Sequence, residues 1–138
     1  DEELPFYACT AEAWVGHPFA SRDEWTQTFR AGKPWENKEH GWTVAAASFP
    51  FDRSPYGIRH LGGNVWEWCE DWYHQATYRM AGGDRNPRGP PGGTDRVARG
   101  GSWLGSLLEA RTAARHHIDP KGPFARNYTT GFRCVRDP

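Results

Sequence analysis

The 138-residue chain carries 17 basic and 17 acidic residues, so its formal charge is zero and it has no electrostatic drive toward nucleic acid or an anionic membrane. Only 37% of residues are apolar, and no apolar run approaches the ~20 residues of a membrane helix. Aromatic residues nevertheless make up 14%, and each ring buries roughly 150–250 Å², so one domain of this length is expected to form a core from a few large side chains separated by turns at 16 Gly and 11 Pro.

Residues 1–20 read as irregular and aromatic, with Pro5 and Pro18 discouraging a long helix. Ser21 to Glu24 has capping-box spacing, and Trp25 and Phe29 follow at i, i+4, which predicts a short helix over 22–30 closed by Gly32 and Pro34. Residues 33–43 read as loop and 43–49 as a strand weakened by alanines; 51–57 is a turn region. In 57–73 the alternation of Val65, Glu67 and Cys69 with Trp66 and Trp68 predicts a strand with one aromatic face. Residues 74–94, crowded with Gly and Pro, predict a long covering loop. RVARGGSW (96–103) predicts a strand ending in a Gly-Gly kink. Residues 107–117 fit one helix or a strand–turn pair, 119–131 form a further loop, and FRCVR (132–136) predicts a closing strand. Cys9, Cys69 and Cys134 are widely spaced, without a C-x-x-C pair, and read as small hydrophobes with one disulfide at most.

Three blocks stand in order: Gly63-Asn-Val-Trp-Glu-Trp68, Arg99-Gly-Gly-Ser-Trp103 and Gly131-Phe-Arg133, with Arg111 and Arg115 between the last two. On these the chain resembles the sulfatase-modifying factor family, the formylglycine-generating enzyme domain. The resemblance implies an α+β, C-type-lectin-like fold of short antiparallel strands, long loops and one or two short helices. It implies one domain over 1–138, with a divergent N-terminal part (1–42) and a motif-bearing core (43–138). Because the family domain is longer, and because the chain opens on Asp1 rather than Met, a portion of a larger protein is expected.

The enzymes of the family bind copper through two cysteines, two and seven residues past the block's tryptophan. Those positions are Gly105 and Ala110 here, and neither is a soft ligand. Copper is therefore not expected, and no catalytic residue is assigned. The resemblance also implies structural calcium, whose surviving positions would be Gly63, Val65 and Glu67. His60 stands where the pattern has an oxygen donor, and calcium prefers hard oxygen ligands. The adjacent His116 and His117 diverge on a strand and on a helix alike, and are not expected to chelate one ion. No G-x-S-x-G, Walker loop or H-E-x-x-H occurs. Glu67, Glu70 and Asp71 read as ion-pair partners for Arg99 or Arg133.

The expected role is thus a non-catalytic module that binds a protein or small ligand, without nucleic acid or membrane. It could be appended to a signalling enzyme such as a Ser/Thr kinase, or be a variable binding protein of a diversity-generating retroelement. The rival is a metal-dependent oxidoreductase that converts Cys to formylglycine in sulfatases. A third reading is a structural subunit completed by another chain. The expected binding surface is Trp103, Leu104, Leu107, Arg111, Arg115, His116, His117, Arg126, Asn127 and Tyr128, because aromatics and arginines supply most interface energy.

Overall fold

The computed structural model describes residues 8–30, 43–45, 48–49, 51–80, 85 and 87–135. The expected loop over 33–42, positions 46–47 of the expected first strand and position 136 of the expected last one lie outside these. Among the described residues, no helix is long and apolar enough to cross a membrane.

The first element among the described residues is a helix that sequence reading missed. α1 (Ala11–Val15) is stopped by Gly16 in the left-handed region, φ 88°, whose N–H donates to the Glu12 carbonyl at 2.7 Å. α2 (Arg22–Trp25) starts where predicted. Ser21 Oγ accepts the Glu24 amide at 3.1 Å, and Glu24 Oε2 reaches back to accept the Ala20 amide at 2.7 Å. This is the reciprocal logic of a capping box, displaced by one residue. From Thr26 to Arg30 the helix widens into a π turn.

A four-stranded sheet follows, with Arg96–Arg99 and Trp66–Trp72 in its middle, His116–Ile118 at one edge and Thr130–Gly131 at the other. β1 (Trp66–Trp72) pairs antiparallel with β2 (Arg96–Arg99), Glu67 opposite Arg99 and Trp68 opposite Ala98, and the register shifts before Trp72 meets Arg96. β2 pairs antiparallel with β3 (His116–Ile118), which supports the strand–turn reading of 107–117. α3 (Thr77–Met80) interrupts the segment read as loop. The closing strand is β4 (Thr130–Gly131), not 132–136, and it runs parallel to β1. No ladder forms at 132–135, where Phe132 and Val135 are exposed. The described residues of 43–49 form no strand either.

Two apolar clusters organise the interior. Trp66, Ala98 and Ile118, with Trp68 against them, cover one sheet face. Trp103, Cys9 and Ala11 are fully buried and gather Val15, Phe19, Trp25, Val44, Phe49 and Leu104 around them. The two glycine motifs lock this second cluster. Gly63 (φ 77°) donates to the Gly100 carbonyl at 2.7 Å. Asn64 (φ 64°) donates its amide to the Cys9 carbonyl and accepts the Trp103 amide on its own carbonyl. Its side-chain Oδ1 also accepts the Val44 amide at 3.0 Å. Positive φ at Gly63 and Asn64 shapes this turn, which brings the N-terminal and motif-bearing segments together.

Candidate functional site

The register puts Glu67, Cys69 and Asp71 of β1 on the side of the sheet shared with Val97 and Arg99 of β2. α3 and the 87–91 segment rise beside that face. Between them lies a cleft of about 240 Å³, lined by Cys69, Asp71, Trp72, Tyr78, Val97, Arg99 and Arg115 among others. A second hollow of about 480 Å³ adjoins it, sharing Thr77, Pro87 and Gly89 and adding His74, Met80 and Arg88.

The Arg115 guanidinium stands 4.6 Å from the Tyr78 ring centre and 5.4 Å from that of Tyr73. Cation–π contact on two rings holds an arginine without neutralising it. His117 stacks on Tyr73 with centroids 4.3 Å apart, and its Nδ1 lies 2.5 Å from Asp95 Oδ2. His116 stacks instead on Trp66 at 5.0 Å, and burial, with the His117 charge second, holds its pKa below the usual imidazole range. The two histidines thus engage different aromatic partners. Arg96 lies over Trp72 at 3.6 Å. Burial raises the Cys69 pKa, and the Asp71 charge adds to that.

Of the ten residues expected on a binding surface, only some reach one. Trp103 is a correction. It is fully buried, and its indole N–H donates to the Tyr128 carbonyl at 3.2 Å, so it is a core residue and not a contact. Leu104 packs against the same cluster, and its carbonyl accepts the Trp25 indole at 3.0 Å. The Leu107 amide donates to Glu12. Asn127 Oδ1 accepts the Thr129 amide and the Thr129 and Thr130 hydroxyls, which makes it the brace of its own turn. Arg111 is exposed and folds back on the Leu108 carbonyl. Arg126 and Tyr128 are exposed. Arg115 lines the cleft, and His117 stacks on one of the rings that hold it. Tyr73, Tyr78, Trp72 and Cys69 were missed. Strand alternation already pointed Cys69 to the Glu67 face, whereas Tyr78 sits in a segment whose composition hid a helical turn.

The residues do not fit the calcium implied at Gly63, Val65 and Glu67. Arg133 Nε lies 3.1 and 3.0 Å from the two Glu67 oxygens, and Nη2 is 2.6 Å from Oε1. A guanidinium held there fills the place of a cation. The same Nη2 donates to the Arg59 and His60 carbonyls. His60 is buried edge-on to Phe49, its Nδ1 3.7 Å from Asp52. Burial holds the Asp52 pKa above the usual carboxylate range, against the opposing charges of His60 and Arg133.

Nor does the copper of the enzymes fit. Gly105 is buried, and a Cβ on it would collide with the Glu109 carboxylate. The three cysteines form no disulfide and are dispersed: Cys9 in the core, Cys69 on β1, Cys134 exposed past β4. Burial pushes the Cys9 thiol up to about 12, so it stays protonated. Among the described residues, no group of three His, Cys, Asp or Glu is disposed to hold a metal.

The family described as sulfatase-modifying factor enzyme 1-like domain matches residues 10–138. The serine/threonine-protein kinase Pkn1 of Chlamydia trachomatis is 35% identical over 95% of this chain and 22% of its own length. The formylglycine-generating enzyme of Thermomonospora curvata is 32% identical over 91% of this chain and 51% of its own. Among solved structures, Treponema denticola variable protein 1 superposes with a TM-score of 0.55 at 28% identity, covering 94% of this chain and 36% of that one. Relatives also include a mouse protein named as an inactive C-alpha-formylglycine-generating enzyme 2. The chain spans about a fifth of the kinase and about half of the bacterial enzyme. With its curled sheet of short strands, its glycine-locked turns and this match over nearly its whole length, the chain belongs to the sulfatase-modifying factor enzyme 1-like domain family.

Proposed function

We propose that this domain is a non-catalytic binding module, carried in a larger protein as the Pkn1 relative carries its counterpart, or used as a variable protein is. The observation that carries the reading is the pair Gly105 and Ala110, neither of which offers a sulfur where the enzymes hold copper. The cleft around Arg115 supplies the means of binding. Arg115 and Arg99 provide fixed positive charge, Asp71 one acceptor, and Tyr78 and Trp72 apolar walls. This mixture of arginine and aromatic side chains is the kind that anchors a protein or small ligand. Burial and the Asp71 charge raise the Cys69 pKa, which disfavours a thiolate nucleophile there.

The alternative, a metal-dependent oxidoreductase that converts Cys to formylglycine, rests on the 32% identity to such an enzyme. One assay separates them. The purified chain, loaded with copper under oxygen, is given a cysteine-containing sulfatase peptide, and aldehyde is captured with a hydrazide. No aldehyde is expected; turnover that depends on copper overturns the binding-module reading.

A further inference from the structure

Glu12 of α1 is only 2% exposed. Its Oε1 accepts the Leu107 amide at 2.9 Å, but Oε2 is buried with no donor among the described residues. The hydroxyl of Thr10, also fully buried, lacks a partner in the same way and does not cap the helix it precedes. A desolvated carboxylate oxygen without a donor is costly unless a proton or a cation meets it. Glu109 lies two residues beyond Leu107 in the loop that covers Glu12, and its carboxylate rests over the bare Cα of Gly105. That glycine is itself pinned to α1, because its carbonyl accepts the Ala11 amide at 2.9 Å. Burial raises the Glu109 pKa; the Arg22 charge opposes this and the Glu12 charge adds to it.

We propose that the junction of α1 with the 105–109 loop binds a hard divalent cation of the calcium or magnesium class, held between the Glu12 and Glu109 carboxylates. Two carboxylates offset one divalent charge in competition with the Arg22 guanidinium, whose charge also acts on Glu109, and the Thr10 hydroxyl lies at the head of the same helix. An all-oxygen set selects hard ions over zinc or copper. The site differs from the position at Glu67, where Arg133 stands instead of an ion. Bound there, the ion ties α1 to the loop after Trp103 and stiffens the wall of the core cluster.

The test uses the purified chain stripped with chelator and titrated in separate runs with calcium, magnesium and zinc chlorides, followed by calorimetry and thermal unfolding. Saturating ion at about a hundred times Kd raises Tm by at least about 5 °C. Glu109→Gln keeps its far-ultraviolet dichroism but loses affinity at least about tenfold, while Glu67→Gln binds as the parent does. Three results overturn the proposal: no heat and no Tm shift with either ion; binding kept by Glu109→Gln but lost by Glu67→Gln; or stabilisation by zinc alone.

Discussion

Arg133 shows how one side chain ties distant parts of the chain. It binds both oxygens of Glu67 on β1 and two carbonyls of the 59–60 turn, all from a residue two positions past β4. Both side chains are part-buried, 34% and 22% exposed, which sets the pair between a surface bridge of under ~1 kcal/mol and a buried one of ~3–5 kcal/mol. Arg133→Met is therefore expected to lower stability by about 2 kcal/mol in urea unfolding, because it strands a half-desolvated Glu67 and two carbonyls. Glu67→Gln, which still accepts from the guanidinium, is expected to cost about half as much. Cys9 makes a prediction of a different kind. The folded chain keeps this thiol protonated to about pH 12, whereas an unfolded thiol titrates near 9.0. Above pH 9.0 the unfolded state binds fewer protons than the folded one, so stability falls by ~1.4 kcal/mol per pH unit from this group alone. The contribution is whole below pH 9.0 and is lost as pH rises toward 12. Urea midpoints between pH 8 and 10.5 are expected to fall more steeply for the parent than for Cys9→Ala, by the equivalent of ~2 kcal/mol.

The elements are short, and most of their order comes from backbone locks. Gly63 has φ 77°, and a Cβ on it would lie 2.7 Å from the Cys9 carbonyl carbon, on a backbone that cannot yield without opening the Cys9 bridge. Gly16 has φ 88° but open space around it. Gly16→Ala is expected to cost about 1 kcal/mol, the conformational penalty alone. Gly63→Ala is expected to cost several times that and to lower Tm by well over about 10 °C in a melting experiment. This contrast also explains what could be read in advance. The GGN turn, β1 and the kink after β2 were legible, because glycine spacing and aromatic alternation are local signals. α1 was not, since five residues give no periodicity and its end depends on Gly16 adopting a left-handed turn. β4 was displaced from 132–136 to 130–131 because its partner is fixed by tertiary fit. Gly131 runs beside β1, where a Cβ would press on Val65 at 3.0 Å. The cleft was legible only through Arg115 and its histidine neighbour; the tyrosines that hold the arginine come from elements whose approach no local pattern encodes.

At the scale of the whole molecule, the core cluster around Trp103 and the cleft around Arg115 are held together by different means. Trp103 belongs to the cluster with Cys9 and Ala11, fully enclosed and hydrogen-bonded through its indole. Arg115 lines the cleft beside α3, resting on the Tyr78 ring, which is 60% exposed. Truncating a buried tryptophan costs ~3–5 kcal/mol, a large share of the ~5–15 kcal/mol that a domain has in total. Losing a cation–π contact at an exposed site costs only ~0.5–1 kcal/mol. Trp103→Ala is therefore expected to abolish or sharply depress the cooperative melt, and Arg115→Ala to leave it within a few degrees of the parent. If a binding partner is captured by the parent, Arg115→Ala is expected to weaken that complex without altering the melt. A Trp103→Ala chain that melts like the parent would mean the RGGSW tryptophan is not part of the core, and a destabilised Arg115→Ala would mean the cleft is a structural seam and not a surface for ligands.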